Sequence, residues 1–383
     1  MNFNLTTEQE MLRDMVGKLL AREAPESYIR HHDERSEYPY KLHEAFARVG
    51  LLGLPFPVQY GGQAGTLLDF LVVSEALGRV GYDVATVYGV PVFCGLTVLE
   101  HGTETQREAF LRPLIAGELR LAVSMSEADA GSDVGAMRTL AVRDGDDYII
   151  NGEKTWCSGG DIDKTVLLLY CRTDPTAHHS KALTAFLIDN KTPGLDIRRI
   201  QTVGRHLLPT TQITLTDVRI PAANRLGDEG NGWRILLSGL LRERLLTSAA
   251  YVGNAATVVD EALAYAKNRV QFGKRIGDFQ VIAHMLADMY TEVEASRLLT
   301  YKAAAILDGG SDAVLAVAMA KLFGSERFAA IADQGMQILG GQGYAMEGSM
   351  QRHWRAARGS TITAGTSQMQ RQTIARQLGL RPQ

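Results

Sequence analysis

Three short segments, far apart in the 383-residue chain, have the same kind of composition. They are Ser124-Met125-Ser126-Glu127-Ala128-Asp129-Ala130-Gly131-Ser132-Asp133, Asn151-Gly152-Glu153-Lys154-Thr155-Trp156-Cys157-Ser158-Gly159-Gly160 and Thr363-Ala364-Gly365-Thr366-Ser367-Gln368. Each combines small residues, which let the backbone approach a ligand closely, with hydroxyls or amides that can hydrogen-bond to it. Taken singly, the first two also fit a polar turn between strands and a strand with a core tryptophan.

The pattern of the chain around these segments changes twice. Residues 1–119 carry apolar side chains at helical spacing, whereas residues 120–231 are dominated by turn residues and β-branched runs. Long helical patterns resume over residues 232–383. The sequence therefore predicts an α+β protein with an N-terminal helical domain, a middle antiparallel β-barrel or sandwich and a C-terminal helical domain. A doubly wound nucleotide-binding sheet is disfavoured because strands and helices do not alternate.

Individual elements follow from the same patterns. Helices are predicted from a cap at Thr6 or Thr7 and over residues 39–49, 69–77, 92–99, 105–114, 234–268, 279–307, 312–339 and 369–378. Strands are predicted over residues 119–125, 138–143, 148–151, 166–171, 183–189, 197–201, 212–218 and 222–226. Asp144-Gly145-Asp146-Asp147 predicts a hairpin turn between two of these strands.

Composition limits the classes of function. The net charge of −3 gives no strong attraction to nucleic acid or to an anionic membrane, so neither partner is expected. The three cysteines show no metal-type spacing and cannot all pair, which indicates a reducing compartment and no metal site. We find no secretory signal and no apolar run of membrane-spanning length. A soluble cytoplasmic protein is expected.

Two further segments could bind a ligand. Residues 269–280 form a basic, glycine-containing break between two long helices, where Arg269 could pair with a pyrophosphate; an exposed charged loop is the alternative. In residues 337–344, three glycines leave the backbone free to meet a ligand or another chain, although a plain helix C-cap explains them equally.

The joint occurrence of these segments, in this order, resembles the acyl-CoA dehydrogenase family over essentially the whole chain. The resemblance rests on Glu127, Gly131-Ser132-Asp133, Arg269-Val270-Gln271-Phe272-Gly273, Gly340-Gly341 and Gly365-Thr366. It implies that the C-terminal domain is a four-helix bundle, that the cofactor is FAD and that the assembly is a homotetramer, or a dimer.

The resemblance also implies roles for individual residues. Flavin-ring contacts are implied for Met125, Ser126, Trp156 and Ser158; contacts with the FAD of a neighbouring subunit for Arg269, Phe272, Gln337 and Gly341; contacts with the adenosine half of FAD for Thr366 and Gln368; and a position near both the flavin phosphates and the acyl chain for Ser132. Ser126 and Ser158 stand where threonine is common, and the hydroxyl is kept. Ala128-Asp129 stands where Pro-Gly is common.

The catalytic base is displaced in this sequence. Many family members carry their glutamate where this chain has Ala364, which cannot accept a proton. Relatives such as the isovaleryl-CoA type carry it on the first long helix of the C-terminal domain, where this chain has Glu243 in an apolar stripe. Desolvation there should raise the pKa of Glu243, which suits a general base. Arg244 matches a position that contacts acyl-CoA.

Alternatives remain at this point. Glu243 could instead pair with Arg242 or Arg244, and Glu75, Glu100 and Glu127 are weaker candidates for the base. The leading interpretation is an FAD-dependent acyl-CoA dehydrogenase that passes electrons to an electron-transferring flavoprotein. The same site could serve a reductase resembling the crotonobetainyl-CoA type, or a dehydrogenase of acyl-carrier-protein thioesters. A non-catalytic FAD-binding subunit of a mixed oligomer is the alternative from another class.

Overall fold

The computed structural model describes residues 4–381. The helices in this range are α1 (Thr7–Glu23), α2 (Glu26–Arg35), α3 (Tyr40–Arg48), α4 (Leu67–Gly78), α5 (Tyr82–His101), α6 (Glu104–Ile115), α7 (His179–Ala182), α8 (Gly232–Asn268), α9 (Gln280–Asp308), α10 (Val314–Leu339), α11 (Gly341–Tyr344), α12 (Met350–Ser360) and α13 (Ser367–Gln377). The strands are β1 (Arg120–Ser124), β2 (Leu140–Asp144), β3 (Asp147–Ser158), β4 (Thr165–Arg172), β5 (Leu183–Asp189), β6 (Leu195–Ile200), β7 (Thr210–Pro221), β8 (Arg225–Leu226), β9 (Val270–Gln271) and β10 (Lys274–Arg275). The predicted order of helices, strands and helices is confirmed.

The N-terminal helices begin where side chains satisfy free backbone N–H groups. Thr6 closes a capping box with Gln9 at the start of α1, and Thr66 and Thr103 do the same for α4 and α6. Helix α2 was missed because its sequence is almost entirely polar. Helix α5 is much longer than the predicted 92–99, since it continues through Pro91.

Helix α5 corrects one expectation from the sequence. It is long and apolar enough to cross a membrane by length and composition, so the statement that no run reaches that length is wrong. Within the protein, 83% of its most apolar window is buried. This burial is typical of a core helix.

The middle of the chain forms one eight-stranded sheet with the order β6-β7-β3-β2-β4-β5-β8, and β1 pairs with β4. Most pairs are antiparallel as predicted, but β1 lies parallel to β4, so the sheet is mixed. The predicted hairpin is present, because Asp144 faces Asp147 across the Gly145-Asp146 turn. The predicted strand over 222–226 is reduced to β8, because Ala222–Asn224 forms a 3-10 turn.

Helix α8 is the centre of the C-terminal helical domain, where it packs against α9, α10 and α12. It also packs on the N-terminal α4, where a Cβ built on Gly253 would lie 2.0 Å from the carbonyl oxygen of Glu75. Only glycine permits this approach. Helix α12 was missed because its sequence is strongly polar.

Helices α5 and α8 run antiparallel, and this arrangement positions the site. The Arg242 guanidinium of α8 contacts the Glu100 carboxylate near the end of α5, whereas the Tyr251 ring stacks on the Tyr82 ring at the start of α5, with centroids 5.2 Å apart. Between these ends, Leu246 packs against Gly89 and Gly239 lies against Thr97, so Glu243 faces the middle of α5.

Candidate active site

A small cavity, of about 40 Å³, lies between α5, α8, the end of β3 and the loop 201–209. Its lining side chains are Tyr82, Thr86, Val90, Phe93, Ser158, Arg205, Leu208, Glu243, Leu246, Thr247 and Thr363. The residues from α5 recur at helical spacing, so one stripe of that helix forms one wall. The wall combines apolar side chains with a few hydroxyls and two charged groups, which is the usual composition of a small-molecule site.

Glu243 is the one acid in this lining, and its carboxylate is unpaired. Within residues 4–381, no Lys, Arg or His nitrogen lies within 4 Å of the carboxylate. Arg242 binds Glu100 at 2.7 Å, and the Nε of Arg244 donates to the carbonyl of Ala364 at 3.1 Å. The alternative in which Glu243 pairs with Arg242 or Arg244 is therefore wrong.

Burial raises the pKa of the Glu243 carboxyl, because the cavity walls keep water from its charged form. The charges of Arg244, Arg205 and Lys321 oppose this effect without reversing it. A carboxyl group tuned in this direction can accept a proton from a weak carbon acid more readily than an ordinary glutamate. The geometry and the pKa direction both suit a general base.

The three weaker candidates for the base are all engaged elsewhere. Glu75 accepts from Arg297 and from the Tyr301 hydroxyl, both at 2.8 Å. Glu100 holds Arg242, and Glu127 is bound by the Nζ of Lys154 at 2.8 Å. None of the three lines the cavity. Their contacts are structural.

The segment around Ala364 is fixed from two sides. Ala364 has a left-handed φ of 54°, and its carbonyl accepts from Arg244. The carbonyl of Gly365 accepts from Lys321 Nζ at 2.6 Å, and burial lowers the pKa of Lys321 to about 8. Neighbouring Thr363 reaches the cavity. The absent glutamate at 364 thus leaves an ordered turn rather than a gap in the structure.

The two middle-domain segments lie side by side. Lys154 donates to the carbonyl of Met125 at 3.1 Å, and the Thr155 N–H donates to the carbonyl of Ser126 at 2.9 Å. A shift of register in β3 gives Trp156 a left-handed φ of 64° and leaves it 60% exposed. The core-tryptophan alternative is therefore wrong. An exposed indole next to a Ser158 that lines the cavity fits a planar ring.

The remaining predicted contacts lie outside the cavity of a single chain. Ser132, Arg269, Gln337, Gly341 and Gln368 are exposed, and Thr366 is the half-buried N-cap of α13. Phe272 is 94% exposed at the tip of the β9–β10 hairpin with a left-handed φ of 52°. One chain therefore does not bring these residues to the Glu243 cavity.

Several lining residues were not predicted from the sequence. Arg205 and Tyr82 were not predicted, because a single arginine in a loop and a tyrosine at the start of a helix form no distinctive local sequence pattern. Thr363 was quoted in a segment without a role. Val90 and Phe93 of α5 also line the cavity, whereas Tyr88 of the same helix belongs to the core.

Comparison with family models matches the chain along almost its whole length. The N-terminal, middle and C-terminal domain models of acyl-CoA dehydrogenase match residues 6–118, 122–218 and 230–379. The chain belongs to the acyl-CoA dehydrogenase family. The family and fold predicted from the sequence are confirmed.

Curated relatives and solved structures agree with this membership. The probable acyl-CoA dehydrogenase YngJ of Bacillus subtilis is 38% identical over 99% of this chain and 100% of its own length. The caffeyl-CoA reductase-Etf complex subunit CarC of Acetobacterium woodii is 35% identical over 96% of this chain and 97% of its own length. The structure described as the FAD complex of PigA superposes with a TM-score of 0.94 at 31% identity, covering 100% of both chains.

Acyl-CoA dehydrogenase family membership makes the protein an oxidoreductase that acts on CH–CH groups with a flavin, and its cofactor is FAD. The residues present fit this cofactor: the exposed Trp156 indole, the Ser158 hydroxyl and the Met125-Ser126 backbone lie together beside the cavity. FAD bound there supplies the group that accepts hydride.

His206 anchors the loop that carries Arg205, and its contribution to stability should depend on pH. A hydrogen bond with Asp33, 3.1 Å away, raises the pKa of His206 from 6.5 to about 9, while Arg355 holds the other oxygen of Asp33. Because the pKa is raised on folding, this stabilisation is complete below pH 6.5 and is lost as pH rises through 9. The substitution His206→Ala should lower the free energy of unfolding by about 1.5–3 kcal/mol at pH 6.

The measurement is urea unfolding of wild type and His206→Ala between pH 6 and pH 9.5. The difference in the free energy of unfolding between the two proteins should decrease as the pH rises. His31→Ala is the control, since His31 is exposed. A gap that stays constant over this range would show that the charge of His206 contributes nothing.

Proposed function

We propose that this protein is an FAD-dependent dehydrogenase of acyl thioesters and that Glu243 is its base. One observation carries the proposal: Glu243 is the acid of the cavity and has no ion-pair partner among the described residues. A substrate whose α carbon lies against Glu243 would lose its proton to that carboxylate. Ser158, on the cavity wall, and the exposed Trp156 would hold FAD, which would supply the acceptor for the β hydride.

The other residues of the site would bind and orient the substrate. We assign thioester binding to Ser132 and Arg244, as the family resemblance implies. Arg244 also donates to the carbonyl of Ala364, so it would hold the turn before α13 against the substrate. Phe93, Val90, Leu208 and Leu246 would exclude water from the acyl group.

The test is an anaerobic titration of the purified holoprotein with a panel of acyl-CoA thioesters. Bleaching of the oxidised flavin band, with formation of the enoyl thioester, is the expected result. The panel should include the same acyl groups on an acyl-carrier protein, because thioesters of CoA and of a carrier protein are both candidate substrates. A protein that never bleaches with any thioester would instead support the non-catalytic subunit.

The reverse reaction, reduction of an enoyl thioester, is a second candidate. A glutamate whose pKa is raised holds its proton to higher pH and can donate it to the α carbon. The relative CarC is described as part of a reductase complex with Etf. Rapid reoxidation of the reduced protein by an enoyl-CoA would support this direction, and we propose an electron-transferring flavoprotein as the electron partner in either case.

We also propose a homotetramer, or a dimer, in which Phe272 of one copy completes the FAD site of another. Burying an aromatic side chain that is 94% exposed contributes about 1.5–3 kcal/mol per site. Phe272→Ser should therefore weaken the assembly and lower the FAD content.

Light scattering and the ratio of flavin to protein absorbance check this expectation. Val58→Ser is a matched control, because Val58 is also exposed but lies in the N-terminal domain. Retention of full assembly and FAD by Phe272→Ser would contradict the proposal.

The cytoplasm is our proposed location for this protein. Three buried free cysteines support it, and cell fractionation tests it.

A further inference from the structure

Arg205 is a cation in the wall of the Glu243 cavity. It lies in the loop between β6 and β7, and its guanidinium stacks over the Tyr82 ring, 4.5 Å from the centroid. One of its terminal nitrogens donates to the Thr363 hydroxyl at 3.0 Å and to the Tyr82 hydroxyl. These contacts hold the guanidinium at the Tyr82 end of the cavity.

The loop around Arg205 is held in an unusual conformation. Arg205 has a φ of 71°, in the left-handed region that residues other than glycine rarely adopt. The charge pair of His206 with Asp33 fixes one side of the loop, and the Leu207 N–H donates to Asp83 at 3.3 Å on the other. Backbone strain maintained by its surroundings is a common sign of a functional position.

The charge of Arg205 has no counter-ion within reach. Both side-chain acceptors named above are hydroxyls, and no carboxylate of residues 4–381 lies within 4 Å of its nitrogens. Its Nε is buried and has no acceptor among the residues that the structure describes. Asp83 and Glu243 act on Arg205 from beyond this distance, but burial raises the pKa of both carboxyls, which disfavours their charged forms. A guanidinium stays charged when it is buried, so an anion bound at Arg205 would be stabilised by this charge.

The antiparallel packing of α5 and α8 sets the direction of the cavity. Glu243 faces the middle of α5, near Phe93, whereas Arg205 stacks on Tyr82 at its start. Thr86 and Val90 line the space between these two levels. An acyl group with its α carbon at Glu243 can therefore extend its far end towards Arg205.

We propose that Arg205 determines specificity by binding a carboxylate at the far end of a short acyl group. The substrate class is then the monothioester of a dicarboxylic acid. The inference rests on the proposed function, since it assumes that the acyl group lies between Glu243 and Arg205. A carboxylate there would accept from the free Nε and from a terminal nitrogen of the guanidinium.

Matched pairs of thioesters test this inference. Glutaryl-CoA is compared with valeryl-CoA, and adipyl-CoA with hexanoyl-CoA, in wild type, Arg205→Lys and Arg205→Met. Wild type should show at least a tenfold higher kcat/KM for flavin bleaching by one of the dicarboxylic thioesters than by its partner. Arg205→Met should reverse that preference, and Arg205→Lys should restore part of it, because lysine keeps the charge but not the planar fork.

A binding readout that needs no turnover accompanies the kinetics. The preferred dicarboxylic thioester should raise the melting temperature of Glu243→Gln more than its monocarboxylic partner does, and adding Arg205→Met should remove the difference. Melting of the variants without ligand shows whether they fold.

The outcomes separate the two proposals. Bleaching of wild type with no preference for the dicarboxylic member, or with a preference that Arg205→Met leaves intact, overturns the role of Arg205 and leaves the dehydrogenase standing. A changed flavin reduction potential with an unchanged preference also overturns it, because Arg205 would then act on the flavin. No bleaching with any thioester overturns both.

Discussion

Glu243→Gln will abolish most of the turnover while leaving FAD bound. Removal of a positioned general base typically lowers the rate about 10²- to 10⁴-fold, and glutamine keeps the shape of the side chain without the proton acceptor. Because Glu243 has no ion-pair partner within the described residues, the substitution breaks no ion pair. The loss should therefore appear in kcat for flavin bleaching rather than in stability.

The matched control is Glu100→Gln, which changes an acid on the neighbouring helix that holds Arg242 and does not line the cavity. This variant should keep turnover within a few-fold of wild type. The wild-type rate of flavin bleaching should also rise with pH through a pKa above that of an ordinary glutamate, because burial raises the pKa of Glu243. Unchanged turnover in Glu243→Gln would refute the assignment of the base.

The contrast between Glu243 and Arg205 shows how far the sequence alone can reach. Glu243 could be proposed as the base from the sequence because the acid missing at Ala364 made a second acid necessary, and helical spacing placed Glu243 in an apolar stripe. That its two arginine neighbours turn away could not be predicted. Their partners are Glu100 on α5 and the Ala364 carbonyl near the end of the chain, and both contacts depend on tertiary packing.

Arg205 has no comparable signal in the sequence. The stretch Gly204-Arg205-His206 looks like an exposed polar turn, and only the packing of the loop against Tyr82 and Asp33 buries it. Helices α2 and α12 were missed for a related reason, because polar sequences become helical here through contacts such as Asp33 with Arg355. Periodic apolar patterns predicted the fold; long-range charge contacts set the details of the site.

Breaking the Lys154–Glu127 pair will strongly destabilise the middle domain. Lys154 is fully buried. Its Nζ donates to the Glu127 carboxylate at 2.8 Å and to the carbonyl of Met125 at 3.1 Å. Lys154→Met would leave Glu127 with only the N–H groups of Arg138 and Thr139 as donors. Removing one partner of a buried ion pair costs about 3–5 kcal/mol, since the other charge remains buried.

The double variant Lys154→Met/Glu127→Gln should be more stable than Lys154→Met alone, because it removes the orphaned charge. Burial alone would raise the pKa of Glu127, but the charge of Lys154 and the hydrogen bonds lower it overall. The stabilisation is therefore present above pH 4.5 and is lost as pH falls through the lowered pKa of the folded state. Urea unfolding of all three proteins at pH 7 and pH 4 measures this dependence.

The same pair also links stability to the flavin site, because Lys154 holds the Met125 backbone beside Ser126 and Trp156. Lys154→Met should therefore lower the FAD content at temperatures where the chain is still folded. Lys164→Met, a change at a neighbouring exposed lysine before β4, serves as the control and should keep full FAD. If Lys154→Met unfolds no more easily than this control, the buried pair does not stabilise the middle domain.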